Sequence, residues 1–459
     1  MRQSITGAVP ANSIRTGDFS RALRKPVLSL TLLCSIALVA WFCQQPLPAL
    51  QDYGEWVFQG WAMGRLVLGD PLLRDHYMLR LFPMPNLACQ WLLAFVSALA
   101  GPFLAAKIVV VGYCSVSIAV CWKASKTFFG THAAAGFVVL VSLVTFNACF
   151  WHGYMNYQFG LVALLWYFQA SQSKRFSPLA LFGISVLLYA CHAATWLAFV
   201  LLVLHTARSR PNRLRICLAL LPTVALFSIY VLNSHGTASS THHSMGVASF
   251  LAYKCYTVAK TGPFHNLIGP NGIGANSTRW MYRSGITVNL MFASGLFLCI
   301  VHGIRKAWQS ERLRAMAPLW FVLFVLFAVM PSDLREVVNL GERFLYILLI
   351  SLLLAIGPSV WVNWLSVITL AGLVLTTVQI PRVSMANMQQ GEAVMHEPEG
   401  NGQSYRADGL FSHRLYQNDE RRVELRDHAT VYAPLLFDTS VLQERDPGHT
   451  RKHADGSKE

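Results

Sequence analysis

The chain has 459 residues, 54% hydrophobic and only 13% charged. A soluble domain carries nearer a quarter charged residues, so the composition excludes an ordinary soluble domain. The net charge of +15 suits nucleic acid, but the basic residues sit in short segments between apolar runs rather than on a polar domain. Nucleic acid is therefore excluded as a partner, and the charges read as topology signals. Alternating ten-residue strands of a membrane barrel are absent, so helices are the expected spanning elements.

In chain order, residues 1–26 form a basic segment with Arg2, Arg15, Arg21, Arg24 and Lys25. No small-x-small cleavage site follows the first apolar run, which reads as a retained signal anchor. Runs of near-bilayer length predict an all-α polytopic membrane protein with about 11 transmembrane helices (range 9–12). They fall near 27–45, 102–122, 132–150, 156–171, 178–191, 193–207, 214–232, 285–303, 315–330, 343–357 and 359–379. The uncharged stretch 178–207 is too long for one ordinary span and is expected to turn at Cys191-His192, as a hairpin or a re-entrant pair. Residues 86–100 are apolar too. As a span they would invert every later loop, so they are expected to lie on the outer leaflet. The membrane domain then covers 27–380, with long outer loops at 46–101 and 233–284. A polar, partly disordered tail at 381–459 follows, on the outer face.

With the N-terminus in the cytoplasm, 17 Lys/Arg fall on the inner side and nine in the outer loops before the tail. This is the asymmetry that orients multi-pass proteins. The compact loops suit a bacterial cytoplasmic (inner) membrane.

Only nine acidic residues precede the tail. Seven lie in two outer loops: Asp52, Glu55, Asp70 and Asp75 in the first, and Asp333, Glu336 and Glu342 in the last. Acids contribute little to topology, so that rule does not explain the clustering. Scarce charges beside spans more often face a cavity or pathway than lipid; solvated loop charge is the alternative. Asp52 follows the first span closely, where partial desolvation makes a carboxylate a usable general base. The same loop carries Arg74-Asp75-His76-Tyr77.

Two tight outer turns hold polar residues in apolar surroundings. One carries His152 and Asn156, the other His192. The two histidines are expected on the face that holds Asp52, with helix capping or an interface position as the alternative. The loop at 233–284 contains His235, His242, His243, Lys254, Lys260, His265, Arg279 and Arg283. Their spacing matches no metal-ligand pattern, and the ten cysteines include no CxxC, so neither a zinc site nor a disulfide framework is indicated. A divalent metal cofactor is left open. In the last outer loop Arg335 and Arg343 offer a planar fork suited to phosphate. Pairing of Arg343 with Glu342, or snorkelling, is the alternative.

This layout resembles the GT-C superfamily of membrane glycosyltransferases, particularly its bacterial members. The resemblance covers roughly 27–380. It is carried by Asp52 soon after the first span, the long first outer loop, the turn His152-Gly153-Tyr154-Met155-Asn156-Tyr157, and Arg343 opening a late span. It implies a polyprenyl-phosphate sugar as donor and an envelope acceptor on the outer face. Asp52 would be the catalytic base, and Arg335 or Arg343 would steady the leaving phosphate. Glu55, His76, His152, Asn156 and His192 would line the substrate site. Asp52 and Glu55 stand three apart, where many relatives carry an adjacent acidic pair. A transporter or a non-enzymatic envelope-assembly protein is the alternative, although no acid lies within a predicted span to serve ion coupling.

Overall fold

The structure is a computed structural model. It describes residues 14–44, 48, 50, 52–79, 83–173, 175–208, 211–233, 246–265, 279–307, 311–331, 333–334, 337–396 and 442–444. The architecture is all-α. Ten of the eleven segments read as spans each fall on one helix, and 132–150 does not. Among the described residues five helical stretches are long and apolar enough to cross a membrane: Lys25–Gln44, Pro102–Trp151, Arg213–Leu232, Trp280–Arg305 and Val360–Gln379.

Helix α1 (Ile14–Gln44) is followed by α2 (Tyr53–Val67), α3 (Pro71–His76), strand β1 (Tyr77–Leu79) and α4 (Ala88–Ala100). The pair α2 and α4 packs closely because Gly60 leaves room for it. A Cβ there would stand 3.0 Å from the Gln90 carbonyl oxygen. One side of α4 (Cys89, Gln90, Leu93, Ala94, Ser97) is buried on the protein, while Trp91, Leu92, Phe95 and Leu99 are exposed. An apolar exposed face is what a helix in contact with lipid carries.

Pro102 begins α5 (Pro102–Phe129), well beyond the expected end near 122. The expected single span at 132–150 is broken instead. It consists of α6 (Ala133–Leu140), a π-helical turn at Val141–Thr145, and the four-residue α7 (Ala148–Trp151). Asn147 causes the restart: its side chain accepts from Phe150 N–H at 3.0 Å as an N-cap. Then come α8 (Met155–Ala170), α9 (Pro178–Cys191) and α10 (Ala193–Ala207). The expected turn at Cys191-His192 is a single extended residue, His192, between α9 and α10.

The remaining helices are α11 (Arg213–Asn233), α12 (Val247–Ala259), α13 (Arg279–Ala307), α14 (Glu311–Val329), α15 (Leu340–Ile356) and α16 (Val360–His396). Helix α12 gives the described part of the long loop at 233–284 a regular structure. Helix α15 is enclosed, with Gly341 to Leu348 buried all round. Helix α16 continues past Pro381, where the polar tail was expected to begin, to His396. The tail also returns to the first long loop, where β4 (Leu442–Glu444) pairs antiparallel with β1, Tyr77 opposite Glu444.

The connections gather at two ends. At one end the Leu87 N–H bonds the Ala190 carbonyl, Asp52 N–H bonds the His152 carbonyl, and Lys260 meets Glu342. At the other, His132 Nδ1 lies 3.0 Å from Asn363 Oδ1, and a Cβ on Gly357 would stand 3.3 Å from the Phe128 carbonyl.

Candidate functional site

The first end carries a buried cluster of charged and aromatic groups. It is assembled from the start of α2, the turn between α7 and α8, His192, the end of α12 and the first turn of α15. Gly153 makes the closest junction. Its φ is +80°, and a Cβ would come within 2.6 Å of Tyr53 N and 2.9 Å of Asp52 N, so only glycine suits both the conformation and the space. Asp52 N–H donates to the His152 carbonyl at 3.0 Å, which fixes the half-buried Asp52 against that turn.

Lys260 and Glu342 form the centre. Their Nζ and Oε2 are 2.7 Å apart, with the Glu342 side chain fully buried. Lys260 Nζ also donates to His152 Nε2 at 3.1 Å. An ammonium can only donate, so Nε2 must be the acceptor nitrogen of a neutral ring. Burial alone pushes Lys260 down, but the charge and hydrogen bond of Glu342 outweigh it and hold Lys260 above its ordinary value. His152 is held well below the usual histidine range by burial first and by Lys260 second. Glu342 occupies the first turn of α15, where a carboxylate is favoured by the helix dipole. Beyond this pair, the Glu342 oxygens have no further hydrogen-bond partner among the described residues.

Arg343 is the second cation. Its side chain reaches His192 Nε2 at 2.8 Å, and its guanidinium carbon lies 4.6 Å from the Tyr154 ring centre. Tyr154 stacks on His152. The Tyr154 hydroxyl is pushed up by burial first and by the charge of Asp52 second. His192 Nδ1 also accepts from Ala194 N–H at 3.0 Å. A neutral imidazole has one acceptor nitrogen, so His192 satisfies one of these two donors at a time. Arg343 Nε has no partner among the described residues. Tyr157 Oη donates to the Arg343 carbonyl at 2.8 Å, and Ala148 N–H donates to Tyr346 Oη at 3.1 Å. These bonds fasten the start of α15 to α7 and α8.

Of the residues singled out from sequence, Asp52, His152, His192 and Arg343 come together here. Asn156 is used elsewhere. Its Oδ1 accepts from Cys89 N–H at 2.7 Å, and its Nδ2 donates to the Asn86 carbonyl at 2.6 Å and to Gln90 Oε1 at 2.8 Å. It anchors α4 to α8. Glu55 lies in α2 and His76 closes α3; both side chains, and Arg335 altogether, lie outside the described residues, as do His235, His242 and His243. The suggested pairing of Arg343 with Glu342 is corrected, because Glu342 pairs with Lys260. Sequence reasoning missed Lys260, Glu342 and Tyr154 as site members. The signal was present in Glu342, one of the few acids before the tail.

Lys254 behaves differently from Lys260. Its Nζ donates to the carbonyls of Phe327 at 2.5 Å and Met330 at 2.6 Å, satisfying the exposed carbonyls at the end of α14. Among the described residues no three His, Cys, Asp or Glu side chains gather as a metal site. Compared with known proteins, the chain matches no family model, and neither a curated protein nor a solved structure shows significant similarity to it.

Proposed function

We propose that the protein is a GT-C-like glycosyltransferase of a bacterial inner membrane. It crosses the membrane eleven times with its N-terminus in the cytoplasm, and it transfers a sugar from a polyprenyl-phosphate carrier to an envelope acceptor at the outer face. The observation that carries this reading is that Asp52, whose N–H bonds the His152 carbonyl, and Arg343, beside the Tyr154 ring that stacks on His152, share one turn, at the end where the predicted outer connections gather. In this reading Asp52 takes the proton of the acceptor hydroxyl as it attacks the sugar's anomeric carbon. The bond to the carrier phosphate breaks, and Arg343, braced by His192, receives the negative charge that develops on the leaving phosphate. Burial strengthens that attraction.

The topology has two supports. The inner-side basics outnumber those of the outer loops. The pairing of β1 with β4 supports a common side for the first loop and the tail, as an even number of crossings between them requires.

The test compares a deletion strain with strains complemented by wild type, Asp52→Asn or Arg343→Ala. Lipid-linked sugars and envelope glycans are read by mass spectrometry. Accumulation of one lipid-linked sugar in the deletion and in both variants, with a glycan lacking that sugar, is the expected result. Unchanged glycans in the deletion strain would end the transferase reading and turn attention to transport or assembly.

A further inference from the structure

Helix α12 carries its charge inward and its apolar side chains outward. From Gly246 to Lys260 the charged residues are Lys254 and Lys260 alone, and both are buried. Lys254 bonds the Phe327 and Met330 carbonyls, Tyr253 Oη donates to Asn339 Oδ1 at 2.6 Å, and Lys260 pairs with Glu342. The outward side bears Val247, Leu251, Cys255 and Val258, all exposed and spaced as one helical stripe. Val247 is 78% exposed and Leu251 58%. Water selects the reverse arrangement, with lysines outside and valine and leucine inside. The medium that this stripe faces is therefore apolar.

The chain just after α12 shows which apolar medium it is. Residues 261–265 are wedged between α13 and α16. Phe264 N–H donates to Asn289 Oδ1 at 2.9 Å, and Asn289 Nδ2 donates to the Phe264 carbonyl at 3.0 Å. His265 N–H donates to Thr376 Oγ1 at 3.0 Å, which in turn donates to the Pro263 carbonyl at 3.0 Å. Gly285 of α13 and Gly372 of α16 make the room, since a Cβ on them would collide with Phe264 and Pro263. Both glycines lie inside apolar stretches long enough to cross a membrane, Trp280–Arg305 and Val360–Gln379. At 1.5 Å per residue they stand about 8–10 Å in from the nearer ends. Non-helical backbone at membrane depth persists only where protein satisfies it, and Asn289 and Thr376 do so here. The late residue Gly303 of α13 meets Ile356 at the far end of α15, so α13 starts at the end where α12 meets the head of α15. Helix α12 packs on α13, whose Ile286, Leu290 and Phe297 are exposed in the same apolar stretch.

We propose that α12 and residues 261–265 form a re-entrant membrane element, with the stripe Val247, Leu251, Cys255 and Val258 lying against lipid acyl chains. The element is then the wall between the bilayer and the Lys260–Glu342 pair, rather than part of an aqueous loop. The inference uses the membrane crossings of α13 and α16 and is independent of the transferase chemistry.

The test uses the full-length protein in phosphatidylglycerol–phosphatidylethanolamine nanodiscs. With Cys43→Ser and Cys217→Ser, a nitroxide is placed on the natural Cys255, so α12 itself is unchanged; the other cysteines are buried. Its collisions with oxygen, which concentrates among acyl chains, are compared with those of a neutral nickel chelate, which stays in water. Oxygen is expected to dominate at Cys255, and at Leu251→Cys with Cys255→Ser, as it does at Phe297→Cys on α13. Nickel is expected to dominate at Ser173→Cys, after α8. Nickel dominance on α12 beside oxygen dominance at Phe297→Cys would overturn the proposal and return α12 to water. Few collisions with either probe on α12 would also overturn it, and would mean that protein, from this chain or a second copy, covers the stripe. Nickel dominance at Phe297→Cys too would remove the membrane reading of α13 itself. Asn289→Leu withdraws both bonds to Phe264, and Thr376→Val is the milder change. Each is expected to raise nickel collisions at Cys255, and no change in either would overturn the anchoring by residues 261–265.

Discussion

Two buried polar regions of the molecule, one of neutral groups and one of charged groups, are satisfied to different degrees. The first surrounds the π-helical turn. Tyr113 Oη donates to the Val144 carbonyl at 2.8 Å and meets Gln158 Oε1 at 2.8 Å. Asn147 Nδ2 donates to the Leu143 carbonyl at 2.9 Å, and Ser117 and Thr145 share a hydrogen bond of 2.6 Å. The Gln158 amide meets Asn147 and Tyr113 whichever way round it stands. The second region is the cluster of Lys260, Glu342, Arg343 and His265, in which Arg343 Nε and His265 Nε2 have no hydrogen-bond partner among the described residues. A network whose main members are bonded to one another fixes a unique packing. A cluster with spare capacity in a buried place is poised for a ligand or a reaction. The contrast teaches that polarity inside a membrane protein is not by itself a site, and that the unpaired remainder is the better pointer.

The largest test of this contrast falls on the ion pair. Lys260→Met or Glu342→Leu alone strands a buried charge and is expected to cost about 3–5 kcal/mol, while the double variant recovers most of it. Denaturation of the purified variants measures this, and additive losses would mean that the pair is not coupled. Next, Arg343→Lys keeps the charge and loses the planar fork. The expected result is product glycan reduced on the order of 100-fold, with melting little changed; a parallel fall in melting would make Arg343 a packing residue.

The network around the π-helical turn should give the opposite pattern. Asn147→Leu leaves Gln158 short of a partner, at a cost of roughly 1–3 kcal/mol, without altering which sugars accumulate. The smallest effect per step is the acid response. His152, His192 and His265 are all held below the ordinary histidine value, with burial the first cause, and His265 is pushed down to about 3. Folding keeps them neutral, whereas the unfolded chain protonates them below about pH 6.5. Their stabilisation is therefore present above that pH and lost as pH falls, by up to about 1.4 kcal/mol per pH unit for each histidine. Lys260 acts in the other sense, since its raised value is lost only as pH climbs above its ordinary range. Melting temperature should fall from pH 7 to pH 5 and stay level from pH 7 to pH 9. Replacing His265 with Phe should shallow the acid slope.

Much of the helical layout was legible before the structure. Apolar runs longer than a dozen residues force backbone groups to pair within the segment, and that requires helix; every predicted span but 132–150 falls on one. The break inside 132–150 was less legible, because Asn147 is a single polar residue in an apolar run, and its capping bond depends on a local geometry that hydropathy does not report. The continuation of α16 past Pro381 was hidden by a fall in hydropathy, although helix needs only its own hydrogen bonds to extend.

For the site, the sequence by itself supplied the scarce charges: Asp52 after the first span, Arg343 at the head of a late one, and histidines in two tight turns. Only the tertiary structure decided their partners. It gave Glu342 to Lys260 rather than to Arg343, committed Asn156 to anchoring α4, and brought His265 to Thr376 of α16. Local sequence sets a residue's charge and its depth along a helix. Which distant side chain neutralises it depends on how the helices pack around α15, and that packing is set by the whole set of contacts at once.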